Sequence, residues 1–194
     1  MLAEQIAVVM QVTDALDRLG VQYAIGGSFA SAVHGVMRAT MDADLVVDLT
    51  LSDTEPLARA LIGEFYADVE SMREAVQHQS SFNLIHLGTM FKVDLFVAKA
   101  RAFDRSQLAR RRSVLLSEEP DRHAYVASAE DTILAKLEWY RMGGEVSDRH
   151  WRDVLGVLLV QGERLDLGYL KKMAAGIDVL DLLELALQAA PVRR

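Results

Sequence analysis

Residues 23–48 have the sequence YAIGGSFASAVHGVMRATMDADLVVD, and they determine how the rest of the chain is interpreted. The pattern predicts a short strand that ends at Gly26-Gly27-Ser28, a helix of small residues, and a second strand that begins with an Asp-x-Asp pair. A glycine pair lets backbone N–H groups approach an anion closely, and the start of the following helix adds a partial positive charge. We therefore expect an anion-binding turn beside a pair of carboxylates.

Three aspartates are the candidate metal ligands. Asp42 and Asp44 are two residues apart on the predicted strand, so their side chains point to one face roughly 7 Å apart. Such carboxylates repel each other unless a cation lies between them, which favours a Mg²⁺ site. Asp94 lies in the second strand of a predicted hairpin over residues 82–97, on the same face as Lys92. A lone buried carboxylate there is costly unless it is paired, hydrogen-bonded or metal-bound. We expect the three aspartates to converge in a two-metal site for phosphoryl-type chemistry.

Each motif also has a structural interpretation. The glycine pair alone predicts only a turn, because the third glycine of a dinucleotide-binding fingerprint is absent and no Gly-Lys-Ser/Thr follows as in a P-loop. The Asp-x-Asp pair alone could be a solvated strand edge. The combination favours chemistry on a nucleotide, because it places a phosphate site next to a site for divalent cations.

The composition of the 194 residues, 51% hydrophobic and 25% charged, is that of an ordinary globular chain with a sizeable core. The absence of cysteine excludes a disulfide framework and a thiolate metal site. The formal net charge of −7 argues against a surface that binds nucleic acid as a whole. No leader-like start or membrane-spanning apolar stretch is present in the sequence, so we expect a cytoplasmic protein without a membrane partner.

One local stretch is basic. Residues 101–112 contain five arginines and a single aspartate, and the pattern predicts a basic helix. Such a run is usually a solvated face, but it would bind phosphates if the substrate were RNA.

The order of the predicted elements indicates the fold class. Strands and helices alternate over residues 1–126, and only helices follow over 127–194. This order predicts an α+β fold in which a mixed sheet is flanked by helices and followed by an all-helical C-terminal region. Helices are predicted at 3–19, 28–36, 52–65, 101–112, 128–142, 147–160, 166–175 and 178–189, and strands at 21–25, 43–49, 82–87, 90–97, 114–116 and 124–126. A short strand and a short helix are expected within 66–80. Ser128 is expected to cap the helix that follows it, Ser147 to start the next helix, and the stretch 52–55 resembles a capping box.

These motifs resemble the minimal nucleotidyltransferases of the DNA polymerase β superfamily. The resemblance is carried by Gly-Gly-Ser, by Arg38-x-Thr40-x-Asp42-x-Asp44 and by the apolar-flanked Asp94. Thirteen residues separate Gly-Ser from the first aspartate, which departs from the tightest versions of the motif and fits longer ones.

The C-terminal half is similar to one branch of that superfamily, the AbiEii-type abortive-infection toxins and related bacterial nucleotidyltransferase-like proteins. The similarity is carried by Glu-Asp at 130–131, by Lys136 followed by leucine, and by the stretch 147–153 that ends in Asp153. The whole resemblance covers roughly residues 20–160.

The resemblance implies a Mg²⁺-dependent nucleotidyltransferase that transfers a nucleoside monophosphate (NMP) from a nucleoside triphosphate (NTP) to a hydroxyl group. RNA, and tRNA first, is the acceptor that this branch implies, with a protein hydroxyl or an aminoglycoside as alternatives. A toxin–antitoxin or abortive-infection role with a cognate antitoxin follows in the same way. The alternative function is a catalytically silent nucleotide-binding or regulatory module with the same fold. A metal-dependent nuclease is a third interpretation, which would leave the glycine turn unexplained.

The resemblance also implies roles for single residues. Gly26, Gly27 and Ser28 would bind the phosphates, Lys136 would direct its charge at a phosphate, and Asp153 would complete the catalytic set. Two structural alternatives stay open at this point. Lys136 could extend to water, and Asp153 could pair with an arginine of its own helix.

Three further residues have open roles. Arg38 is expected either to bind the nucleotide or to fix its loop through an ion pair with a motif aspartate. His34 could touch a ligand, although a hydrogen-bonded packing role is favoured. Core packing is favoured for Trp139, whose ring could also stack on a base.

Overall fold

The computed structural model describes residues 2–35, 42–118 and 121–190. Within this part of the chain, seven strands form one mixed sheet: β1 (Tyr23–Ile25), β2 (Asp42–Val47), β3 (Phe65–Tyr66), β4 (Ser81–His86), β5 (Lys92–Val97), β6 (Arg112–Glu118) and β7 (Asp121–Val126). The helices are α1 (Leu2–Leu19), α2 (Gly27–His34), α3 (Thr54–Ala60), α4 (Val69–His78), α5 (Ala102–Arg110), α6 (Ala129–Met142), α7 (Asp148–Gln161), α8 (Leu167–Gly176) and α9 (Leu180–Ala189). The predicted α+β class and its all-helical C-terminal part are confirmed.

The strand order is β3-β4-β5-β2-β1-β7-β6, which puts the two aspartate-bearing strands side by side in the middle of the sheet. β2 and β5 are parallel, and their register pairs Asp44 with Asp94 and Asp42 with Lys92. β4 and β5 form the predicted antiparallel hairpin. Because neighbouring strands lie about 4.8 Å apart, this register brings side chains that are distant in sequence to one face of the sheet.

Two hydrophobic clusters fill most of the interior. The first lies under the sheet and includes α1, whose Val9, Val12 and Leu16 are fully buried because they recur at helical spacing. The second joins the C-terminal helices, with Leu137 of α6 and Leu158 of α7 fully buried. The division of the chain after residue 126 remains a prediction.

Serine caps fix the starts of the two helices that border the site. The Ser128 side chain accepts a hydrogen bond from the backbone N–H of Asp131, and Ser147 accepts one from the N–H of His150. Each bond satisfies a donor that the helix start leaves unpaired. Both caps lie where the sequence predicts them.

Two predicted helices are shorter in the structure. The helix expected over 52–65 begins as a 3-10 turn at Leu51, because the capping box is formed by Thr50 and Asp53, two residues earlier than predicted. The α-helix itself ends at Ala60, since Phe65 already belongs to β3. The predicted basic helix ends at Arg110, because Arg112 pairs with β7 as the first residue of β6.

Within the described ranges, no helix combines the length and apolar character needed to cross a membrane.

Candidate active site

The glycine turn lies directly against Asp44. β1 ends at Ile25, and the backbone N–H of Gly26 donates to the carbonyl oxygen of Asp44 over 2.7 Å. Gly27 has φ +55°, and a Cβ atom at this position would overlap the Asp44 carboxylate. Only glycine satisfies both the backbone conformation and the close approach. The glycine turn and Asp44 are therefore in contact, with Ser28 in the first turn of α2.

The three predicted carboxylates come together across β2 and β5. Asp44 and Asp94 are register partners, and Asp42 lies two residues before Asp44 on the same strand. Burial raises the pKa of Asp44 to about 6, and repulsion from Asp42 and Asp94 acts in the same direction, against the opposing effect of Lys136 and Lys92. Negative charge is thus concentrated where the glycine turn ends.

Lys92 pairs with the third acid. Its Nζ lies 2.7 Å from Oδ2 of Asp94, and the side chain of Asp94 is 13% exposed. Among the described residues, no three His, Cys, Asp or Glu side chains are arranged to hold a metal ion as they stand. Carboxylate oxygens are the donors that Mg²⁺ prefers, so the donor set fits that ion in its chemistry. The metal-ligand roles of Asp42, Asp44 and Asp94 remain predictions.

A cavity of about 620 Å³ opens beside these groups. The glycine turn, Ser28, Asp42 and Asp44 line one side, and Lys136 of α6 lines it from the helical region. Its volume is within the range of small-molecule sites. Asp94 is not among the residues that line it.

Lys136 and Asp153 form a buried ion pair between α6 and α7. Lys136 Nζ lies 3.0 Å from Asp153 Oδ2, and both side chains are less than 10% exposed. The interpretation that Lys136 extends to water is therefore wrong. A buried ammonium needs a fixed counter-charge, and Asp153 supplies it while Lys136 still lines the cavity.

Aromatic side chains form another wall of the cavity. Trp139 is 44% exposed and makes an edge-to-face contact with Phe96 at 5.4 Å between ring centroids. The favoured core-packing role is wrong for Trp139, because its position on α6 faces the cavity and not the hydrophobic core. The neighbouring Tyr140 packs on Trp151.

The arginines of residues 101–112 do not form one free basic face. Arg101 donates to Asp104 and to Glu138, at 2.6 Å and 2.5 Å. Arg110 lies 3.3 Å from a carboxylate oxygen of Glu130, and Arg111 donates to the Leu108 carbonyl oxygen. Asp104 and Leu108 lie in the same stretch, whereas Glu130 and Glu138 belong to α6 and could not be assigned as partners from the sequence.

Two further expectations concern the loop before β2 and the helix ahead of it. His34 Nε2 donates to the Ala127 carbonyl oxygen at 2.7 Å, and burial lowers the pKa of His34. The hydrogen-bonded packing role of His34 is thus confirmed. Arg38 lies outside the described residues, so its role stays a prediction.

Solved structures with the same fold are nucleotidyltransferases and a nucleotidyltransferase-like protein. A solution structure of the antibiotic-resistance factor ANT(2'')-Ia matches with a TM-score of 0.57 and 14% identity, over 98% of this chain and 96% of that chain. A crystal structure of ANT(2'')-Ia in complex with adenylyl-2''-tobramycin matches with a TM-score of 0.59 and 13% identity, over 90% and 97%. An antigenic nucleotidyltransferase-like protein from Paracoccidioides brasiliensis matches with a TM-score of 0.56 and 19% identity, over 96% and 93%.

The chain has a nucleotidyltransferase-type fold. No protein-family model and no curated protein matches the sequence. The likeness therefore concerns the fold.

Proposed function

We propose that the chain is a Mg²⁺-dependent nucleotidyltransferase that transfers NMP from an NTP to a hydroxyl acceptor. One observation carries the proposal: the Gly26-Gly27 turn lies against the carboxylate of Asp44, which is electrostatically coupled to Asp42 and Asp94, on the wall of a cavity of small-molecule size. A phosphate-binding turn in contact with clustered carboxylates is what nucleotide chemistry requires, and a plain structural turn has no need of it.

Each part of the cavity has a task in this reaction. The backbone N–H groups of the glycine turn and the Ser28 hydroxyl would hold the triphosphate, and Lys136 would add a positive charge from α6. Bound Mg²⁺ would neutralise phosphate charge and favour an ionised acceptor hydroxyl. The acceptor oxygen forms a bond to the α-phosphorus while the bond to the β-phosphate oxygen breaks, so pyrophosphate leaves. We assign Asp94 to the acceptor side, where a carboxylate can take the hydroxyl proton.

The comparisons support transfer to a hydroxyl group. ANT(2'')-Ia has been solved with an adenylylated aminoglycoside, adenylyl-2''-tobramycin, in the same fold. RNA, and tRNA first, remains the acceptor that the sequence resemblance implies. The pairing of Arg101, Arg110 and Arg111 with other groups weakens the basic face that RNA would need. Small hydroxylated molecules are therefore tested beside tRNA.

The toxin role, the antitoxin partner and the cytoplasmic location rest on the sequence alone. We keep them as proposals, the first two of which follow from the resemblance of the C-terminal half to the AbiEii-type proteins. Expression of the chain should arrest growth if the role is correct, and a variant with Asp44→Asn should not.

A silent nucleotide-binding module is the second candidate. It is favoured by the ion pair between Lys92 and Asp94, which occupies the third acid, and by the lack of a ready three-ligand group among the described residues.

The test is incubation of the purified chain with α-³²P-labelled NTPs, Mg²⁺ and either total tRNA or a panel of aminoglycosides. We expect labelled acceptor, and at least about a 100-fold loss with Asp44→Asn, because removal of a charged group at the reacting centre costs several kcal/mol. Asp48→Asn is the matched control, since Asp48 is exposed one residue past the end of the same strand. Nucleotide binding without label in any acceptor would support the silent module instead.

A further inference from the structure

Lys92 occupies a position that the proposed chemistry does not explain. It lies on β5, two residues before Asp94 and on the same face of the strand. The parallel register places it directly beside Asp42 on β2. A positive side chain is therefore built into the row of acids, at the edge where Asp42, Asp44 and Asp94 converge.

The contacts of Lys92 show that it pairs with Asp94. Its Nζ lies 2.7 Å from Oδ2 of Asp94, within the range of a charge-assisted hydrogen bond. The hydrogen bond to Asp94 raises the pKa of Lys92, and the charges of Asp94, Asp42 and Asp44 raise it further. The ammonium group thus interacts with all three carboxylates and is bonded to one of them.

The burial of the two partners is unequal. The Lys92 side chain is 43% exposed, whereas that of Asp94 is 13% exposed. The lysine can rotate into water at little cost, because its ammonium group can regain hydration. Asp94 has no such route and would remain on the sheet when the lysine leaves.

We infer that Lys92 acts as a tethered counter-ion that competes with the divalent cation for Asp94. In the metal-free protein it neutralises the acid that the proposed function assigns to the acceptor side. Metal binding then requires the Lys92–Asp94 ion pair to open, so the lysine raises the metal concentration at which the site fills. This inference rests on the proposed function, and it adds a residue that sets the metal requirement.

Direct metal binding tests the inference without an activity assay. Binding of Mn²⁺, as a spectroscopic substitute for Mg²⁺, is measured by electron paramagnetic resonance on the nucleotide-free protein. We expect Lys92→Gln to bind Mn²⁺ about tenfold more tightly than the wild type, because a competing unit charge a few ångströms from the carboxylates is removed. Lys92→Arg keeps the charge and the hydrogen bond, so it should retain wild-type affinity.

A second variant tests whether the effect of Lys92 comes from competition for Asp94 or from the total charge of the site. Lys99 also lines the cavity and is exposed, and no ion pair joins it to Asp94 in the described structure. Lys99→Gln removes the same unit charge and should change the Mn²⁺ affinity by less than about twofold, because no ion pair with Asp94 has to open and the remaining long-range effect is screened by salt. Thermal melting of each variant checks that it is folded.

Three results would overturn the inference. Equal or weaker Mn²⁺ binding by folded Lys92→Gln would make the lysine an anchor for β5 or a substrate ligand. If Lys99→Gln raised the Mn²⁺ affinity equally, the effect would come from the net charge of the site and not from competition at Asp94. Either of these first two results leaves label transfer by the wild type intact, whereas failure of the proposed function would appear as no transfer with any acceptor. Absence of Mn²⁺ binding in both wild type and Lys92→Gln would reject the inference as well.

Discussion

Two aspartates of this chain, Asp44 and Asp131, have raised pKa values for the same first reason, burial, yet their surroundings are opposite. Asp131 is fully buried at the start of α6 and accepts hydrogen bonds from Ser128 Oγ at 2.6 Å and from Tyr169 OH at 2.5 Å. Asp44 faces a cavity, and the groups that raise its pKa after burial are two more carboxylates.

The difference shows how neighbours decide the role of a buried acid. Around Asp131, the N-cap residue Ser128, Tyr169 of α8 and Arg110 of α5 satisfy the carboxylate, so the buried acid links three helices. Around Asp44, the fold accumulates charge of one sign, which is unfavourable unless a cation binds. The first environment stabilises the fold, and the second makes a site that a ligand can use.

The largest effect that we expect comes from removing the structural acid. Asp131→Ala leaves Ser128, Tyr169 and Arg110 without their common acceptor, and it should lower the free energy of unfolding by about 3–4 kcal/mol. Chemical denaturation monitored by circular dichroism measures the change. Asp181→Ala is the control, because this exposed aspartate pairs with Arg141 at the surface and should leave the denaturation midpoint near that of the wild type. If Asp131→Ala were as stable as the wild type, Asp131 would not stabilise the fold and would not differ from Asp44 in this respect.

The second effect concerns the glycine beside Asp44. Gly27→Ala places a Cβ on the Asp44 carboxylate, and we expect it to reduce label transfer at least about 100-fold, or roughly 3 kcal/mol. Gly20→Ala is the matched control: Gly20 also has a positive φ, of 71°, but nothing lies within 4 Å of the position that an added methyl group would take. It should lose about 1 kcal/mol of stability and keep its activity. Equal activity losses in both variants would mean that backbone strain, and not contact with the acid, matters at Gly27.

The smallest effect is a pH dependence of stability. The folded-state pKa of Asp44 is about 6, above the ordinary value of 3.8, so ionisation of this group opposes folding. In metal-free buffer, Asp44→Asn should match the wild type near pH 4 and exceed it by about 1–2 kcal/mol above pH 6. The free energy of unfolding of the wild type therefore falls, relative to that of Asp44→Asn, as the pH rises from about 4 to 6.

Urea denaturation at pH 4, 5, 6 and 7 with a chelator present measures that difference. A constant difference between Asp44→Asn and the wild type at all four pH values would show that the carboxylate is not destabilised by its neighbours.

Local patterns were enough to predict much of the fold. Helical spacing and serine caps gave α1, α6 and α7 close to their observed bounds, because these signals depend on residues within a few positions of each other. The convergence of Asp42, Asp44 and Asp94 was also predicted, since strand parity and an unfavourable lone acid are visible in sequence.

Features that depend on side-chain geometry or on packing between elements were harder to predict. The pairing of Lys92 with Asp94 required the side-chain geometry as well as strand parity, and the two helix ends around residues 52–65 and 101–112 depended on competing local bonds. The partners of Arg110, on α6, depend on how helices pack, which a single sequence does not contain.

The parallel register between β2 and β5 has a consequence for how this chain can change. The spacing of Asp44 and Asp94 is held by hydrogen bonds between adjacent strands, although forty-nine residues, with β3 and β4 among them, connect the two positions. Insertions or deletions at an exposed turn of this connecting segment, such as the turn at Gly63, therefore need not move Asp44 or Asp94. The connecting segment can therefore change in length and sequence while the two carboxylates keep their positions.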